Sequence, residues 1–68
     1  MKLIIEYEQE EDGRWLAEVK EIPGTMAYGV TSQDAMAKVQ ALALRVVADR
    51  IEHGEAMPDT LNISFQAA

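Results

Sequence analysis

The sequence predicts a single α+β domain: three strands, a long helix and a final strand in the order β-β-β-α-β, with the helix packed on one face of an antiparallel sheet. Three observations lead there. Apolar and polar residues alternate through most of the first thirty positions and again after position 60, the two-residue period of half-buried strands. Between these stretches, from Thr31 to about His53, the apolar period lengthens to that of a helix, with no proline or glycine to interrupt it. The whole chain, 1–68, is 68 residues long. That is enough for one domain with a thin core, because a chain this small buries only about 60% of its unfolded surface.

The first strand is Lys2 to Glu8, with Leu3, Ile5 and Tyr7 on one face and Ile4 as the apolar exception on the other. Gln9 to Gly13 ends in Asp-Gly, a hairpin signal because both residues tolerate positive φ. Trp15, Ala17 and Val19 form the second strand, with Leu16 turned the other way. Ile22-Pro23-Gly24 breaks the run, since proline removes a ladder donor. Met26, Tyr28 and Val30 form a third, shorter strand.

Thr31 is placed to cap the helix, with Asp34 three residues on as a capping box and Val30 and Ala35 at the staple positions. Gly54 is the left-handed stop and Pro58 follows. Leu61, Ile63 and Phe65 then alternate with Asn62 and Ser64 as a last strand.

Placed at 100° intervals, Ala35, Val39, Leu42, Ala43 and Val46 share an arc wide enough to cover a sheet. A second set, Ala37, Ala41, Leu44, Ala48 and Ile51, projects to the flank or the far side, leaving only a narrow polar stripe of Asp34, Lys38, Arg45, Asp49 and Glu52. One apolar face suffices to cover a sheet. The surplus set is therefore the expected surface of a homo-oligomer, a dimer or higher.

Composition excludes several classes of function. Six basic against 12 acidic residues give a net charge of -6, with no basic stripe for phosphates, so no nucleic-acid binding by this chain alone is expected. The same balance disfavours an anionic membrane and suits a basic protein partner. No apolar stretch reaches the roughly 20 residues of a membrane span, and Glu6 interrupts the start too early for a signal peptide, so the expected location is cytoplasmic. The chain has no cysteine and one histidine, which excludes disulfides and Cys- or His-rich metal sites.

No active-site constellation emerges, and no catalytic residue, metal or cofactor is assigned. Asp49 precedes the single histidine, His53, by four residues, but no nucleophile accompanies them, and a histidine in the last helical turn suits the helix dipole. Glu8, Glu10, Glu11 and Asp12 form the densest carboxylate cluster, without the alternating ligand frame of a calcium loop. A two-metal nuclease centre through Glu6, Glu8 or Asp12 lacks assignable further ligands. Trp15, Tyr7 and Tyr28 lack the neighbouring Lys and Arg of a base-stacking platform and are expected to pack under the helix.

The ordered motifs Asp12-Gly13-Arg14-Trp15, Ile22-Pro23-Gly24, Gly29-Val30-Thr31 and Asp34-Ala35, closing with Gly54 and Pro58, resemble the HicB family of bacterial antitoxins over nearly the whole chain. The chain departs from the family pattern at Lys20, Thr25 and Val30, and it carries no C-terminal DNA-reading segment before it stops at Ala68, so operator binding is not expected. The resemblance implies a truncated ribonuclease-H-like domain, non-enzymatic, that binds and occludes a small basic mRNA-cleaving toxin of the HicA type. Glu8, Glu10, Glu11 and Asp12 are the candidates for steering that toxin. The alternative is an orphan homo-oligomeric binding domain of the same type without a toxin partner.

Overall fold

Leu3 and Ile5 point one way from the first strand and are buried, while Lys2 and Glu6 point the other way and are exposed. This alternation fixes which face of the sheet receives the helix. The computed structural model describes residues 1–55 and 59–68, and Pro58 lies outside the described residues. The elements are β1 (Lys2–Gln9), β2 (Trp15–Val19), β3 (Thr25–Gly29), α1 (Ser32–Glu52) and β4 (Ser64–Ala67), in the expected β-β-β-α-β order. They form a four-stranded sheet, β3-β2-β1-β4, with one helix on it.

The sheet is mixed, a departure from the expected antiparallel pairing throughout. β1–β2 and β2–β3 are antiparallel, but β4 runs parallel to β1, with Leu3 opposite Phe65. The cause is the long helix. It carries the chain back across the sheet after β3, so the next strand starts from the same end and runs the same way, as crossover connections require.

Glu10 to Arg14 make the first turn. Gly13 N–H donates to Glu10 O at 3.0 Å and Glu10 N–H to Arg14 O at 2.7 Å. Within this turn only Gly13 has positive φ, at 91°. The expected turn ending in Asp-Gly is therefore a four-residue turn, Glu10 to Gly13, whose last residue is a left-handed glycine, while Asp12 keeps an ordinary φ. The second turn closes at Ile22, whose buried side chain anchors it, through Thr25 N–H to Ile22 O at 3.2 Å.

β3 is shifted from its expected reading. It ends at Gly29, and the positions turned to the helix are Thr25, Ala27 and Gly29 rather than Met26, Tyr28 and Val30. Val30 is 80% exposed, so the expected hydrophobic staple with Ala35 does not close. Gly29 is where the helix start meets the sheet. A Cβ there would lie 2.4 Å from Ala35 N and 2.8 Å from Ala35 Cα, so only glycine admits this approach.

The helix begins as its sequence indicates. Thr31 Oγ1 accepts from Asp34 N–H at 3.0 Å, and Asp34 Oδ2 accepts from Val30 N–H at 3.1 Å. The side chain three residues into the helix thus reaches back past the cap, a variant of the capping box. Lys38 Nζ, 3.1 Å from Asp34 Oδ2, and the Val30 N–H together hold the Asp34 carboxyl below the ordinary aspartate value. At the other end, Gly54 N–H donates to Ile51 O and Glu55 N–H to Arg50 O, with Gly54 at φ 70°. This is the paired closure of a Schellman stop.

The core forms between two matched sets. Leu3, Ile5, Ala17, Val19 and Ile22 come from the sheet side, and Ala35, Val39, Ala43 and Val47, four residues apart, from the helix. Each fully buried Leu, Ile or Val contributes about 1.5–3 kcal/mol. Val47 belongs to this core although the helical arc drawn from the sequence omitted it, while Leu42 and Val46 from that arc are half-buried. The helix packs chiefly on β3 and β2 and much less on β1. The last strand also starts later than expected. Residues 59–62 form a turn, Asn62 N–H donating to Asp59 O, and Leu61 is 94% exposed.

Candidate functional site

Among the described residues no element covers the face of the sheet turned away from the helix, and strand parity decides what it displays. Even-numbered residues of β1 and β2 point there, so Ile4, Glu6 and Glu8 stand beside Leu16 and Glu18. The hairpin register places Glu6 directly opposite Glu18 and Glu8 opposite Leu16, and β3 adds Tyr28 opposite Leu16 and Met26 opposite Glu18. Like charges facing each other across a ladder are destabilising, and this pair is met by one cation. Lys20 Nζ lies 3.2 Å from Glu6 Oε2. That hydrogen-bonded carboxylate, with Glu18 and Glu8 adding their charge, holds the Lys20 ammonium above its ordinary value.

Together Glu6, Glu8, Leu16, Glu18 and Lys20 line an open hollow of about 210 Å³. Leu16 is half-buried, and Met26 and Tyr28 are exposed beside it. The surface thus combines an apolar strip with a rim of carboxylates. A strip and rim of this kind can bind a complementary surface by burying the strip and pairing the rim.

The tip of the hairpin is a different environment. Arg14 Nε is 2.7 Å from Asp12 Oδ2, and Arg14 N–H donates to Asp12 Oδ1 at 3.0 Å. The backbone N–H and the guanidinium of Arg14 hold the Asp12 carboxyl below its ordinary value, and the same bond raises Arg14. The guanidinium also lies 4.2 Å from the centre of the Tyr28 ring, a cation–π contact. Of the four expected steering carboxylates, Glu8 therefore belongs to the sheet face, Glu10 and Glu11 to the turn, and Asp12 is already paired.

The expectation that all three rings pack under the helix is corrected. Tyr28 projects from the opposite face and is 43% exposed. Tyr7 and Trp15 do share the helix side, their centroids 6.2 Å apart, with Trp15 packed against the core and Tyr7 exposed.

The remaining candidates are placed as follows. His53 caps the helix end, its Nδ1 2.7 Å from Asp49 O, a contact in which the ring nitrogen must donate because a carbonyl only accepts. Both side chains are exposed. Among the described residues, no group of three or more His, Cys, Asp or Glu is arranged to hold a metal ion, and no helix is long and apolar enough to cross a membrane. On α1, Leu44 and Ile51 are 46% and 51% exposed, Ala37 and Ala48 are exposed, and Ala41 is half-buried.

Sequence reasoning reached Glu8 and missed Glu18 and Lys20 as site residues. Their signal was present in parity: Glu6 and Glu8 share the even face of one strand, and Leu16 and Glu18 that of the next. No protein-family model, curated protein or solved structure matches this chain.

Proposed function

We propose that this chain is a HicB-like protein inhibitor whose uncovered sheet face docks a small basic protein, a toxin of the HicA type, and excludes RNA from it. The observation that carries this reading is the grouping of Glu6, Glu8 and Glu18 around Leu16, Met26 and Tyr28 on a face that no element among the described residues covers. The ordered turn and cap motifs and the net charge of -6 support it. Charge at the rim acts mainly on the association rate and on partner choice, while the apolar strip sets the lifetime of the complex. Inhibition of this kind is stoichiometric and involves no metal, cofactor or turnover, and the chain alone binds neither DNA nor RNA.

The test is co-expression with the adjacent small basic reading frame, scoring growth rescue and co-purification, followed by titration of the purified toxin against RNA cleavage. Changing Glu6, Glu8 and Glu18 together to Gln is expected to slow association and flatten its salt dependence with the fold intact. An unchanged association rate removes the sheet face from the mechanism, and inhibition below one equivalent removes the mechanism itself. A second reading, a homo-oligomeric binding domain without a toxin, is favoured by the exposed Leu44 and Ile51 on α1. It predicts no rescue and no co-purifying partner.

A further inference from the structure

β3 forms one edge of the sheet and β4 the other. The edge of β3, Thr25–Gly29, lacks the usual guards against strand pairing. It contains no charged residue and no proline, and all five residues pair with β2 in unbroken register, so no bulge twists the edge away. The strand is also held from beneath. α1 packs chiefly on β3 and β2, and Gly29 lies so close to Ala35 that no Cβ fits between them. Every second residue of an edge strand turns its N–H and C=O away from the sheet. Among the described residues, no strand pairs with this edge of β3.

The two edges differ in what stands behind them on the outer face. Behind β4 the register places Lys2 opposite Ser64 and Ile4 opposite Gln66, a cation and an apolar residue. Behind β3 it places Glu18 opposite Met26 and Leu16 opposite Tyr28, with Glu6 and Glu8 one strand further in. Met26 and Tyr28 are exposed, so an added strand meets open side chains. Strands pair about 4.8 Å apart, which puts a residue opposite Met26 about 9.6 Å from Glu18, Cα to Cα. A Lys or Arg there spans the gap, its stem along Met26 and its head at the Glu18 carboxylate. At β4 the same segment would bring its cations to Lys2.

We infer that the basic partner docks by strand addition: an extended segment of it, with cationic side chains at alternate positions, pairs with the open edge of β3 and sends those cations onto the acidic outer face. The inference rests on the reading of that face as a dock for a basic protein. Backbone hydrogen bonds along β3 hold the segment whatever its sequence, and the alternation of its side chains selects it. Lys or Arg turned outward reaches Glu18, whereas Asp or Glu there meets like charge. Five residues give a short ladder, so an isolated peptide binds weakly, with Kd on the order of 1 mM.

The test is amide hydrogen exchange of the full chain, read residue by residue by NMR, with two blocked hexapeptides as probes. One is Lys-Val-Lys-Val-Lys-Val and the other Glu-Val-Glu-Val-Glu-Val. The Lys-Val peptide near saturation is expected to slow exchange of alternate β3 amides at least about tenfold, while the Glu-Val peptide slows none. Glu18→Gln is expected to weaken Lys-Val binding about threefold with the fold unchanged. If the β3 amides still exchange freely at about 10 mM Lys-Val peptide, strand addition is overturned, and peptide-induced shifts confined to the outer face leave the docking face standing. Equal protection by both peptides also overturns the proposal, because the edge then does not select cations. Protection that appears without peptide and grows with chain concentration assigns the edge to a second copy, with the same consequence. Failure of the co-expressed toxin to bind, with the Lys-Val result intact, removes the HicA-type reading alone.

Discussion

Along β1, Leu3 and Ile5 turn toward the helix and are buried, whereas Ile4, Glu6 and Glu8 turn away and are partly or wholly open to solvent. The same contrast runs across β2, with Ala17 and Val19 buried and Leu16 and Glu18 only half-buried. One set of strands thus serves two purposes. The inner face excludes water and supplies the hydrophobic free energy of folding, and it tolerates no spare volume. The outer face contributes little to stability and is free to hold a like-charge pair that no core would admit. The candidate site thus lies where packing leaves the choice of residue open.

The largest expected effect breaks the comparison at adjacent positions. Leu3→Ala removes a buried side chain and leaves a cavity, and is expected to destabilise the fold by about 3 kcal/mol in urea unfolding. Ile4→Ala on the outer face is expected to cost less than about 1 kcal/mol. Equal losses would mean that the outer face is covered after all.

Next in size is Gly29→Ala, expected to cost about 2 kcal/mol, because a Cβ would strike the backbone of Ala35 rather than a side chain that can move. The result should be a lower urea midpoint with an unchanged slope. Wild-type stability in this variant would show that the start of α1 is not seated against β3.

A gain is expected at Thr25. Its side chain is buried, and Oγ1 has no hydrogen-bond partner among the described residues. Thr25→Val keeps the shape and removes the orphaned hydroxyl, and is expected to raise stability by about 1 kcal/mol. Loss of stability on this change would reveal a partner for the hydroxyl.

The smallest effects belong to exposed charges. Glu18→Gln relieves the pair with Glu6 and is expected to raise the urea midpoint by less than Thr25→Val does. The pH dependence follows from Asp12 and Asp34, whose folded values lie below the ordinary 3.8. Their contribution is complete above that value and is lost as pH falls through the lower folded values, because the unfolded chain binds these protons first. Asp34→Asn is expected to be less sensitive to acid below pH 4 than the wild type, measured by urea midpoints across that range.

Much of the fold is legible locally. Thr31 and Asp34 announce the helix start, Gly54 its stop and Gly13 a turn, because caps and turns are settled by backbone groups within a few residues of one another. The candidate site was less legible, since it depends on register. A two-residue turn closing on Asp12 and Gly13 would set Glu6 opposite Val19, while the loop that forms sets it opposite Glu18 and assembles the acidic face. A shift of one residue decides whether those carboxylates meet.

By itself the amino-acid sequence determined the kind and order of the elements, the helix boundaries and, in β1 and β2 but not in β3, the alternation that divides buried from exposed positions. The tertiary structure alone decided that β4 runs parallel to β1, that Val47 joins the core, that Leu61 stays outside the last strand and that Glu6 faces Glu18. The physical reason is range. Capping, turn chemistry and hydrophobic period act over a few residues, whereas strand direction after a 21-residue helix and the pairing of distant side chains are set by how the faces pack once they meet.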